Sequence, residues 1–88
     1  MKDESYEDTL KSVMTFVKYH LDSARNKYPD WPSDPLYGAS IAAEEHGEFM
    51  KEVVTWQHHG KKDGEYNMIH ECAQAAAMHI RWLVEFLR

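Results

Sequence analysis

Cysteine, glycine, proline and basic residues are all scarce in this chain, and each shortage excludes something. A single cysteine, Cys72, forbids an internal disulfide and fits a reducing compartment. Four scattered glycines make no phosphate-cradling loop. No apolar run approaches the ~20 residues needed to span a bilayer. The acidic stretch from Met1 to Glu7 is followed by no apolar h-region, so no signal peptide is read there. The expected setting is therefore the cytoplasm, with no membrane partner. Ten Lys and Arg stand against fifteen Asp and Glu, a net charge of −5. That balance argues against a nucleic-acid polymer as partner, though not against one nucleotide bound with a metal's help. No His-Glu-x-x-His or Cys-x-x-Cys occurs, and the adjacent His58 and His59 cannot both face one ion from a regular helix. A zinc site built from them and His70 is disfavoured on that ground.

What is present is helical periodicity. Tyr6, Leu10, Val13, Met14, Val17, Leu21 and Ala24 recur at spacings of three and four, a single apolar stripe. Ser5 with Asp8 resembles a capping box for that helix, which should run over about residues 5–27. The prolines are confined to one stretch, Pro29, Pro32 and Pro35, which cannot continue a helix. Asp34-Pro35 reads as N-cap and first position of a second helix, over about 35–59 and stopped by Gly60. Asp63 is placed to cap a third, over about 64–87. The short link between them predicts antiparallel neighbours. No run alternates with period two, so no strand is expected. The reading is one all-α domain over residues 1–88, an antiparallel bundle of three main helices. A chain of 88 residues buries a limited share of its surface, so a four-helix-type core completed by oligomerisation is expected.

The chemistry is carried by acids in unusual places. At roughly 100° per residue, Glu44, Glu45, Glu48 and Glu52 fall within an arc of roughly 100° on the second helix, beside Ile41. Like charges so spaced repel by about 0.2–0.5 kcal/mol per pair on an exposed helix. On the third helix, Met68, Ala75, Met78, Trp82 and Phe86 trace the inward stripe, and Glu71 falls in its middle. A carboxylate there is costly to desolvate unless something meets it. In a hairpin about residues 60–63, Gln74 comes level with Glu48, and Glu71 within about a turn of it. Small residues at Ala73, Ala75, Ala76 and Ala77 let the helices approach. Oxygen ligands of this kind suit Mg²⁺ or Mn²⁺.

These residues resemble the all-α, MazG-like nucleoside triphosphate pyrophosphohydrolases. Glu44-Glu45-His46-Gly47-Glu48 is similar to the family's first acidic motif, Glu-Glu-x-x-Glu. Glu71-Cys72-Ala73-Gln74 is similar to its second, Glu-x-x-Asp, with Gln74 where the pattern has Asp. The resemblance spans about Trp31 to Arg88. It implies a bundle assembled as a dimer or tetramer and Mg²⁺-dependent cleavage of an NTP or dNTP to the monophosphate and pyrophosphate. It further implies Glu45, Glu48 and Glu71 as metal ligands, with Gln74 at the fourth position. Glu44 is then an outer acid or the group that orients the attacking water.

Other readings stand beside this one. The glutamates of the second helix could form a solvated face paired with Lys51, and Glu71 a buried ion pair with Arg25, Lys18 or Arg81. Gln74 could make an ordinary interhelical hydrogen bond. Trp31 and Trp56 are candidates to stack a nucleobase or to fill the core. Lys51, Lys61, Lys62 and Arg81 are candidates for phosphate contact. The rival functions are a non-catalytic helical oligomer and a nucleotide-binding module that has lost turnover.

Overall fold

The computed structural model describes residues 4–59 and 65–88. Three helices account for nearly all of them: α1 Glu4–Lys27, α2 Pro35–His59 and α3 Glu65–Leu87, with no strand among the described residues. Among the described residues no helix is long and apolar enough to cross a membrane. The boundaries fall within a residue of those read from periodicity and prolines.

The two proposed helix starts fare differently. Asp34 caps α2 as expected: its Oδ1 accepts the Leu36 amide at 3.0 Å, and its carbonyl accepts the Gly38 amide at 3.0 Å. Ser5 does not cap α1, because the helix already includes Glu4 and Ser5 lies inside it. The Ser5 carbonyl accepts the Thr9 hydroxyl at 2.9 Å, a bond made back along a helical turn. Asp63, the expected cap of α3, lies outside the described residues.

Helix α3 is central. It packs against α2 on one side and α1 on the other, while α1 and α2 do not meet along their lengths among the described residues. Trp82 Nε1 donates to the Pro35 carbonyl at 3.0 Å, joining the end of α3 to the start of α2, so these two are antiparallel. Phe16 and His20 of α1 meet His70, and Arg81 reaches Pro29 beyond the end of α1, so α1 and α3 run the same way.

The interior is thin. Its buried apolar residues are Val17, Ala42, Ala73, Ala75 and Ala77, and the last is fully shielded at 0% exposure. Alanine lets backbones approach closely but buries little apolar area. Phe16, Leu21, Ala76, Met78 and Ile80 surround the Val17–Ala73–Ala77 contact between α1 and α3. The expected stripe of α1 is buried only in its second half. Tyr6, Leu10, Val13 and Met14 are exposed, because the first half of α1 finds no helix to cover it. The stripe of α3 also ends early: Met68, Ala75, Met78 and Trp82 are buried or half-buried, but Phe86 is 61% exposed, its ring stacked on Trp82 at 5.0 Å.

Candidate metal centre and adjoining cavity

The acids of α2 and α3 do meet. One carboxylate oxygen from each of Glu45, Glu48 and Glu71 lies within 4.8 Å of the others. Helical periodicity sets this up: Glu45 and Glu48 are three apart on one face of α2, and that face packs on α3. Glu45 and Glu71 are half-buried and Glu48 is exposed, so the cluster opens to solvent on the Glu48 side.

Oε1 of Glu45 and Oε1 of Glu71 are shielded from solvent and have no hydrogen-bond partner. Burial, first, and then the charges of Glu48, Glu71 and Glu44 push the Glu45 carboxyl above its ordinary range. Glu71 is raised by burial first, then by Glu48 and Glu52, with His70 partly offsetting and the Glu48 carboxyl near enough to share a proton. Carboxylates so arranged favour a proton or a cation among them. The candidate ion pairs do not form: Lys18 bonds Asp22 at 2.7 Å, Arg81 sits 3.9 Å from Glu85, and none of Lys18, Arg25 and Arg81 bridges to Glu71.

Glu71, expected within about a turn of Glu48, lies beside it, and the two carboxyls are close. Gln74 shares a cavity wall with Glu45. Glu44 is exposed and lies beside the cluster rather than in it, near enough to act electrostatically on Glu45. Glu52 acts in the same way on Glu71.

A cavity of about 480 Å³ lies over α3, in the gap where α1 and α2 fail to touch. Glu45 and Gln74 line it on the side of the acidic cluster. The 28–37 segment contributes Tyr28, Asp30, Trp31 and Tyr37, and α3 contributes Met78 and Arg81. Trp31 is thus part of this wall. Trp56 is half-buried and is not part of that lining; it stands eleven residues beyond Glu45, ~16 Å further along α2. Lys51 is exposed on α2, one turn past Glu48. Lys61 and Lys62 lie outside the described residues.

Two features escaped the sequence reading. His20, 8% exposed, lines the cavity; its ring meets those of Phe16, Tyr19 and His70, and its Nε2 has no partner. Burial and then His70 hold its pKa below the ordinary histidine value. Its place on the stripe, between Val17 and Ala24, was the available signal. The contact between Arg81 and Trp31 is the second: Arg81, weighed as a phosphate contact and as an ion-pair partner of Glu71, is 3% exposed, with its guanidinium 4.9 Å from the Trp31 ring.

No protein-family model, curated protein or solved structure matches this chain.

Proposed function

We propose that this chain is a Mg²⁺-dependent nucleotide pyrophosphohydrolase that works as a homo-oligomer, cleaving an NTP or dNTP to the monophosphate and pyrophosphate. The observation that carries the reading is the convergence of Glu45, Glu48 and Glu71 within 4.8 Å, with two oxygens shielded and unpartnered. These hard oxygen donors fit Mg²⁺ or Mn²⁺. Glu45, Glu48 and Glu71 would hold the ion, with the Gln74 amide nearby as a neutral donor. When bound, the ion neutralises phosphate oxygens at the point of cleavage.

The chain's own residues supply the rest. Glu44, exposed at the edge of the cluster, accepts a proton from the attacking water. The cavity beside Glu45 receives the base and sugar, against Tyr28, Trp31 and Tyr37. Lys51, a turn from Glu48, can reach a phosphate, and Lys62 is kept as a second candidate. Trp56 is kept as a base contact only by way of a second subunit, since its own chain's cavity does not include it. The uncovered apolar stripe of α1, Tyr6 to Met14, supports assembly with another copy as a dimer or tetramer. A role in the cytoplasmic nucleotide pool follows from the same reading.

A second reading, a nucleotide-binding module without turnover, is favoured by Gln74, which brings no charge where the resembled motif has Asp. One experiment separates them: pyrophosphate release from the canonical NTPs and dNTPs with Mg²⁺, Mn²⁺ or EDTA, and Glu48→Gln as control. Metal-dependent release that Glu48→Gln abolishes is the expected result. No release, with nucleotide binding still seen by calorimetry, would move the assignment to the binding module.

A further inference from the structure

A buried arginine needs an explanation, because a desolvated cation is costly without close partners. Arg81 is the basic residue sealed in the interior among the described residues, at 3% exposure. Its compensation is partial. Nη2 donates to the Pro29 carbonyl at 3.2 Å, Nε has no hydrogen-bond partner, and Glu85 at 3.9 Å is beyond hydrogen-bond reach. Arg25 and Asp30 act on it only at longer range. Its remaining contact is the Trp31 ring, 4.9 Å from the guanidinium carbon.

Trp31 has a second close neighbour. A Cβ built on Gly38 would stand 3.0 Å from the indole Nε1 and 3.1 Å from Cζ2, so the ring rests directly against the α2 backbone. The indole thus touches both Arg81 of α3 and the one residue of the first turn of α2 that lacks a side chain. Both Trp31 and Arg81 line the cavity that also contains Glu45.

We propose that Arg81 is a positioning residue that sets substrate affinity, by fixing the Trp31 indole and the Pro29–Trp31 backbone as a rigid wall of the cavity. This rests on the cavity being the base-and-sugar site proposed above. Arg81 stands seven residues past Gln74, ~10 Å along α3, so it acts on the far end of the substrate and not on the reacting phosphate. A planar guanidinium can lie flat on the indole while donating to Pro29, whereas a lysine ammonium has no flat face to pack on the ring. Gly38→Ala perturbs the same wall at its α2 contact, because the indole must give by a few tenths of an ångström.

The test uses Arg81→Lys and Gly38→Ala in the full chain labelled with 5-fluorotryptophan, the Trp31 resonance being assigned by its loss in Trp31→Phe. Both variants are expected to move or broaden the Trp31 line. In pyrophosphate release each should raise KM at least tenfold while kcat changes less than threefold, with Mn²⁺ affinity within twofold of the parent. An unmoved Trp31 line in folded Arg81→Lys overturns the fixing of the indole, whatever the activity. A fall in kcat at constant KM overturns the positioning role and points to action on the reacting phosphate. If the parent releases no pyrophosphate and binds no nucleotide, the enzyme reading falls and takes the affinity role with it. The fluorine spectrum still decides whether the indole is fixed, and Gly38→Ala decides it if Arg81→Lys does not fold.

Discussion

Replacing Glu71 by Gln should stabilise the metal-free protein and destabilise it relative to the parent once Mg²⁺ is added. The ligand oxygens of Glu45, Glu48 and Glu71 lie within 4.8 Å of one another. Two unit charges at that separation repel by ~1 kcal/mol in water and ~3.5 kcal/mol at an effective dielectric of about 20. Glu48 is exposed, and screening pulls the value toward the lower figure. Glutamine keeps the shape of Glu71, and its amide can donate to the Glu48 carboxylate. A gain of about 1–2 kcal/mol in EDTA follows, or about 5–12 °C in Tm for a chain of this size. Mg²⁺ at a hundred times its Kd adds about 2.7 kcal/mol to the parent and little to the variant, so the order of stability inverts. Thermal melts followed by circular dichroism at pH 8, in EDTA and in MgCl₂ at fixed protein concentration, read both effects. A lower Tm for Glu71→Gln in EDTA would refute the reasoning, since it would mean that the Glu71 charge is compensated in the fold. A parent Tm indifferent to Mg²⁺ and Mn²⁺ would refute the metal site itself.

Three further outcomes are expected. Above the ordinary carboxyl value of 4.5 the raised Glu45 and Glu71 pKa values make the folded state hold more protons than the unfolded chain, so their contribution to stability falls as pH rises through the raised values. His20, lowered from 6.5, works the other way: its contribution is present above 6.5 and is lost as pH falls below it toward the lowered value. In EDTA the slope of Tm against pH should therefore turn more positive than the parent's in Glu71→Gln and more negative in His20→Gln, and three parallel slopes would contradict both assignments. Ala77→Leu, at a fully shielded α1–α3 contact, should cost about 1–3 kcal/mol in urea titration, and a neutral result would show that this seam tolerates extra volume. Leu10→Glu with Met14→Glu should lower the mass seen by analytical ultracentrifugation without unfolding the helices; an unchanged mass would remove the exposed stripe of α1 as the assembly face.

Helix number, type and limits were legible along the chain because they depend on local chemistry. Prolines at 29, 32 and 35 end one helix and open the next, and the Asp34 cap needs only its neighbours. The three acids that cluster were legible too, since period 3.6 puts Glu45 and Glu48 on one face and Glu71 in the apolar stripe of α3. Other features depend on which helix lies beside which. That α3 is central, that the first half of α1 stays uncovered and that Glu71 faces Glu48 were decided by packing. So were the burial of His20 and Arg81 and the contacts of Trp31, because a side chain's neighbours across a helix interface leave no periodic trace in its own segment. Sequence alone determined the three helices and the acids they carry; only the tertiary structure decided how closely those acids approach and where the cavity opens, because α1 and α2 each pack on α3 and leave a gap between them.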